Sequence, residues 1–291
     1  MKNSLKFAGL ATLGGIAAFV LRRLQDVYGF EQSTGLPVQS NLYALALPIL
    51  LVILAAVFAW MVRKLPGDCD GLSMPFSDRF CSRETFPFFL LVAGLLLMVS
   101  SGALDVFSGL TYQQTVLSAL SGSSVSGLYS AISSSLSPRL AVIQGILTVC
   151  GALCLIPVCK VCRSQGKRRQ AAEHPLVLNG NLLLVPVVVL VVRLVLTYRA
   201  DSVNPSLSAY YLELLALMLF ILSLFRLSSF AFDGGKTRRY VWDTSLAVVL
   251  CIATLADGHS YPYALLYGGA ALTELGFLLL KLDAPLIPAD S

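Results

Sequence analysis

Five ionisable side chains fall inside long apolar stretches: Arg193, Glu213, Arg226, Asp243 and Glu274. A charge at such a position is expensive, so it faces protein or water, takes a partner and commonly serves a function. Arg193 lies about five residues from one end of its apolar run, and Glu213 about four from the same end of the next, antiparallel run. At about 1.5 Å of rise per residue their depths match within a turn, which predicts an Arg193–Glu213 ion pair. Near the other side Arg226 and Asp243 flank the short turn Asp233–Lys236 and are expected to pair, with Glu274 deeper and able to share Arg226. Two chemistries fit this set. It can form a substrate or proton site of the kind that transporters place near the membrane midplane, or it can fix helix register.

A second group is the aspartates Asp26, Asp105, Asp201 and Asp257, each at the end of an odd-numbered apolar run. They are candidates for the outer mouth of a carrier. Their recurrence has the form of an internal duplication, but the matches are only two or three residues long, and Asp is a common turn and cap residue. The seven cysteines and two histidines carry less. Cys159-x-x-Cys162 with Cys69 and Cys81 makes one weak four-thiol constellation, read as free thiols. His174 and His259 fall on opposite sides of the membrane and cannot share a site. No GxxxxGK[ST], GxSxG or GxGxxG motif occurs, so neither catalysis nor a metal or cofactor is expected.

The elements that position these residues follow from composition. The chain is 56% hydrophobic and only 13% charged, with a mean hydropathy of +0.77, against about 25% charged in soluble domains. Lipid is the solvent this composition fits. A spanning helix needs about 20 apolar residues, and eight stretches qualify: Leu5–Leu21, Tyr43–Val62, Phe86–Leu104, Leu140–Val161, Leu182–Tyr198, Ala209–Phe230, Val241–Ala256 and Tyr263–Leu280. The expected fold is all-α, a polytopic integral membrane bundle of about eight helices in four outward-facing hairpins. Residues 1–291 form one transmembrane domain with no room for a separate soluble one. The longest connection, Asp105–Arg139, contains a Ser-rich segment in which Val125, Leu128, Tyr129, Ile132 and Leu136 recur at helical spacing, predicting an amphipathic outer helix near 123–136.

Met1–Leu21 has the basic start and short apolar run of a leader, but Arg22-Arg23 follows in place of a small-x-small cleavage site, so a retained helix is expected. Its Ala11-x3-Gly15 and Gly14-x3-Ala18 spacings suit close helix packing in lipid. With a cytoplasmic N-terminus, fifteen lysines and arginines of the connections and helix ends fall inside, and only Arg22, Arg23, Arg139 and Arg199 fall outside. The positive-inside rule then places both termini in the cytoplasm, and compactness fits a bacterial inner membrane. Inner-leaflet headgroups account for the net charge of +5 without any nucleic acid.

Two function classes follow. One is a small-solute transporter or carrier using the intramembrane charges of the fifth to eighth helices. The other is a non-catalytic membrane subunit or sensor, acting through its basic loop Lys160–Arg169 on another membrane protein or on a second copy. The stretch Phe225–Gly235 is distinctive, but no activity attaches to it.

Overall fold

The computed structural model describes residues 2–29, 42–65, 76–80, 82, 84–121, 138–168, 179–201, 211–232, 234–257 and 261–284. Eight long helices account for nearly all of them: α1 (Lys2–Tyr28), α2 (Leu42–Arg63), α3 (Phe86–Ser121), α4 (Pro138–Arg168), α5 (Asn181–Asp201), α6 (Tyr211–Ser229), α7 (Thr237–Thr254) and α8 (Tyr261–Asp283). No strand occurs among the described residues. Each of the eight contains a stretch long and apolar enough to cross a membrane, and the protein is an all-α polytopic bundle. Helices are the form that such a chain takes in lipid, because they satisfy their own backbone polar groups. The prolines inside three of them, Pro48, Pro157 and Pro186, are tolerated for the same environmental reason.

The polarity of the bundle is inverted relative to a soluble protein. Leu13 and Ile16 of α1, Val52 of α2, Phe89 and Leu96 of α3, and Val188 and Val195 of α5 point outward and are exposed, where lipid would cover them. Arginines, carboxylates and hydroxyls point inward.

Packing makes a closed ring in the order α3, α4, α5, α6, α7, α8 and back to α3, with α1 and α2 against the outside of α7. Two glycine crossings pin one side of the ring. A Cβ on Gly269 of α8 would sit 2.7 Å from the Gly94 carbonyl oxygen of α3, and one on Gly102 would sit 2.7 Å from the Gly145 carbonyl oxygen of α4. Gly94 and Gly102 are about 80° apart around α3, given 3.6 residues per turn, so one serves each neighbour. Without Cβ atoms the backbones approach closely enough for dispersion to hold helices together where lipid removes the hydrophobic drive.

Helix α1 is part of the packed structure. Its Ala11 and Ala18 are fully buried, and a Cβ on Gly15 would meet the Ile252 side chain of α7 at 2.7 Å. At the opposite end of α7 the Arg238 guanidinium donates to the Leu65 carbonyl just past α2, at 2.8 and 3.2 Å, satisfying an orphan acceptor at a helix C-terminus. Beside it a single helical turn, Phe76–Arg79, delivers Phe76 and Phe80 to an aromatic cluster. Phe80 meets Phe230 and Tyr240 edge to face at 5.3 and 5.8 Å, and the Lys281 ammonium stands 4.5 Å from the Phe230 ring centroid. This cluster accounts for the unusual Phe225–Gly235 stretch in structural terms: Phe230 fills the cluster and packs on Gly235, where a Cβ would collide with its ring.

One expected boundary is corrected. The connection expected from Asp105 to Arg139 is helical as far as Ser121 and again from Pro138. Asp105 does not end a helix because its carboxylate is neutralised within the ring. The Ser108 and Thr111 hydroxyls turn back to the Asp105 and Phe107 carbonyls at 3.0 and 2.9 Å instead of competing with the helix. The amphipathic helix expected near 123–136 lies outside the described residues.

Candidate functional site

The ring interior carries a belt of polar groups toward the end where α1, α3, α5 and α7 finish. Its centre is Arg193 of α5, only 1% exposed. The guanidinium Nη1 donates to Asp105 Oδ2 of α3 at 3.2 Å and to Thr148 Oγ1 of α4 at 3.1 Å. Tyr263 of α8 presents its ring face 5.0 Å from the guanidinium carbon. Alongside, Tyr267 of α8 donates from its hydroxyl to Glu213 Oε1 of α6 at 3.0 Å. Five of the six ring helices thus supply polar or aromatic groups to one neighbourhood.

That neighbourhood is unsaturated. Arg193 Nε and Nη2 find no hydrogen-bond partner among the described residues, and neither do Gln144 Nε2 or Thr197 Oγ1. Gln144 lies one turn from Thr148 on α4, and Thr197 one turn from Arg193 on α5, and both are almost fully buried. Buried donors without acceptors each cost about 1–3 kcal/mol, more for charged groups. Three of the four unsatisfied groups are N–H donors and the fourth is a hydroxyl, so the set matches something that accepts hydrogen bonds, above all a carboxylate or another small oxyanion able to take a guanidinium in two bonds.

Arg22, Asp257 and Tyr211 lie toward the same end. Arg22 Nε donates to Asp257, in the 3-10 turn Leu255–Asp257 that follows α7, Nη1 reaches Gln25 Oε1 at 3.0 Å, and Asp26 stands 3.6 Å away. The Tyr211 hydroxyl of α6 adds a bond to Gln25 at 3.4 Å. Since Tyr211 and Glu213 share the first turn of α6, that turn touches both arginine clusters. Arg22 faces two carboxylates, Asp257 and Asp26, and the cluster reads as a clamp holding α1 to the end of α7.

The other end of the interior holds Asp243, Arg226 and Glu274. Arg226 Nε donates to Asp243 Oδ2 at 3.2 Å. Glu274 of α8, 1% exposed, takes a hydrogen bond from Ser223 of α6, whose hydroxyl also bonds Thr244 of α7 at 2.7 Å.

The structure therefore arranges the sequence candidates in its own way. Arg226 and Asp243 are partners, while Glu274 bonds a serine and not Arg226. Arg193 pairs with Asp105 in place of the expected Glu213. Counted from the described helix ends, Arg193 is about 12 Å inside α5 and Glu213 only about 3 Å inside α6, because α5 runs on to Asp201 while α6 begins at Tyr211. Asp105 and Asp257 are buried in separate ion pairs, Asp26 lies one turn from Arg22, and the Asp201 side chain is outside the described residues. Cys159 and Cys162 are buried near the end of α4 and form no disulfide among the described residues, and Cys69 and Cys81 lie outside the described residues. Sequence reasoning missed Thr148, Tyr263 and Tyr267, which have no local signature. It did flag Arg22, as a charge discordant with the positive-inside count.

No protein-family model matches this chain, and neither a curated protein nor a solved structure does. Fold and interior together define a multi-pass helical membrane protein with a partly unsatisfied arginine at its centre.

Proposed function

We propose that the protein is a carrier or membrane-embedded binder of a small anionic solute, anchored by Arg193. The supporting observation is the pair of unpartnered guanidinium N–H groups beside unpartnered Gln144 and Thr197, all inside the ring. A guanidinium held by one carboxylate and one hydroxyl through a single nitrogen keeps its other donors directed and charge-assisted, which suits carboxylate recognition. The Tyr263 face stabilises the cation from the side. Glu213, tied to Tyr267, adds a negative group nearby that would disfavour multiply charged anions, so monocarboxylates head the expected order.

The alternative of a non-catalytic subunit expects a free, flat small-residue face on α1. That face is spent inside the chain against α7 and α2, which favours the solute reading. On the positive-inside count the protein sits in a cytoplasmic membrane with both termini inside.

The test is ligand-dependent stability of the purified protein in lipid nanodiscs, with acetate, lactate, succinate, phosphate and sulfate as probes. A ligand at 100 times its Kd stabilises the folded state by about 2.7 kcal/mol. At least one monocarboxylate should raise the unfolding midpoint of the native protein and leave Arg193→Gln unmoved. If no anion acts, or if Arg193→Gln responds equally, the proposal fails.

A further inference from the structure

Glu274 stands apart from the Arg193 belt and is not used by the proposal above. Its Oε2 accepts from Ser223, while Oε1 is buried without a hydrogen-bond partner. Thr244 of α7 completes the near shell through Ser223 and lies close enough to interact with the carboxylate itself. Tyr240 of α7, fully buried, interacts with Thr244 and lies near Glu274; among the described residues neither its hydroxyl nor Glu274 Oε1 completes a hydrogen bond of good geometry. An unsatisfied acceptor and an unsatisfied hydroxyl thus face the same small neighbourhood, lined by three hydroxyl oxygens and one carboxylate from α6, α7 and α8.

The charge count is also incomplete there. Asp243 lies near enough to act on Glu274; of the nearby cations, Arg226 is taken by Asp243, and exposed Arg239 acts on Asp243 from outside the core. The other titratable neighbours, Tyr240 and Cys251, are neutral groups on α7. With both carboxylates ionised, Glu274 keeps a negative charge in a dry interior with hydroxyls and no cation bonded to it among the described residues, an arrangement that proteins avoid at a cost of several kcal/mol. One positive charge at Glu274 Oε1 removes the deficit. The donor set, a carboxylate with hydroxyl oxygens and no nitrogen or sulfur, is hard, and suits a proton or an alkali cation over a transition metal.

We infer that Glu274, with Ser223, Thr244 and Tyr240, forms a site for one monovalent cation, a proton or a sodium ion. The inference does not depend on Arg193 binding a solute. If that reading also holds, this is where a coupling ion sits.

The experiment uses the full chain in nanodiscs. Unfolding midpoints are measured in sodium chloride and in choline chloride at equal ionic strength, at pH 5.5 and 8.5, and the infrared carbonyl band of protonated carboxyl groups is recorded at neutral pH. For a sodium site, sodium raises the native midpoint by several degrees at pH 8.5, while Glu274→Gln is indifferent. For a proton site, sodium does nothing, and the native protein shows a protonated-carboxyl band at neutral pH that Glu274→Gln lacks. Ser223→Ala keeps the carboxylate and should weaken the sodium response several-fold or shift the band. Arg193→Gln should leave either signature intact, so failure here is separate from failure of the anion site. Should Glu274→Gln not fold, the native protein and Ser223→Ala still decide. A native protein with neither sodium dependence nor the band overturns the inference, as does a Glu274→Gln variant behaving like the native protein.

Discussion

Asp105→Asn removes the carboxylate that Arg193 engages among the described residues, so its cost can be worked from geometry. The native contact is one Nη1–Oδ2 bond of 3.2 Å between side chains 1% and 11% exposed. Removing one member of such a buried pair leaves an uncompensated charge and costs about 3–5 kcal/mol. Thr148→Val deletes the other Nη1 bond but leaves the pair intact, and should cost about 1.5–3 kcal/mol as a hydrogen bond to a charged group. Replacing the pair together, Arg193→Met with Asp105→Leu, removes both charges and should recover most of the loss. The assay is the apparent unfolding midpoint in nanodiscs for the native protein, the two single replacements Arg193→Met and Asp105→Leu, and the double replacement, read as a double-mutant cycle. Asp105→Asn should drop the midpoint by on the order of 10 °C, given about 2–4 °C per kcal/mol in chains somewhat smaller than this one. Additive single effects, with the double variant as unstable as their sum, would refute the pairing.

Four further outcomes follow from the same structure. Gly102→Ala should cost about 1–3 kcal/mol as overpacking, since its Cβ would sit 2.7 Å from the Gly145 carbonyl; Gly9→Ala, with nothing within 4 Å, should be neutral or slightly stabilising, and the two midpoints check both statements. Asp257→Asn leaves Arg22 with Asp26 as its remaining carboxylate and should cost about 1–3 kcal/mol, loosening α1 first, which hydrogen exchange along Lys2–Tyr28 would reveal. Arg238→Leu uncaps α2 at Leu65 and should lower the midpoint by only a few degrees, from a loss of about 1 kcal/mol. A cysteine at exposed Asn179, in the connection before α5, should react with a membrane-impermeant maleimide only after cells are opened; labelling of intact cells would invert the assigned sidedness.

Most of the fold was legible because lipid solvation writes itself into composition. A run of about 20 apolar residues has few alternatives, and every predicted span falls on a long helix, with ends moved by at most seven residues except that of the third, which runs on to Ser121. The large error, at Asp105, arose because Asp and a following Ser/Thr-rich segment look like a turn when read locally. Only a partner 88 residues away makes the same carboxylate compatible with a continuing helix. The site followed the same division. Arg226 and Asp243 are joined by a short turn, so adjacency in sequence implied adjacency in space. Arg193 with Asp105 and Arg22 with Asp257 join helices that do not follow each other in the chain, and nothing in their local spacing says which helices meet. Gly94, Gly102, Gly145 and Gly269 hold the information that closes the ring, but isolated glycines in apolar helices do not announce their partners.

The buried charges divide by how completely they are satisfied, and that division separates scaffold from function. Arg22 has Asp257, Asp26, Gln25 and Tyr211 around it, and Arg226 has Asp243. Both arginines are engaged by carboxylates of the chain, and such pairs fix which helices meet. Stability alone does not require them, because a well-packed apolar pair of similar volume is often as stable or more so. Arg193 and Glu274 are different: each is buried to the same degree, yet each keeps polar atoms without partners. An unmet donor or acceptor carries a desolvation penalty with no return in the folded state, and the simplest substitution to relieve it, to an apolar side chain, is readily reached. Among the described residues nothing meets those atoms, and a bound ligand would recover the penalty. Their chemistry, N–H donors at one and a carboxylate oxygen at the other, calls for an anion and a cation respectively, held at different depths of the same ring.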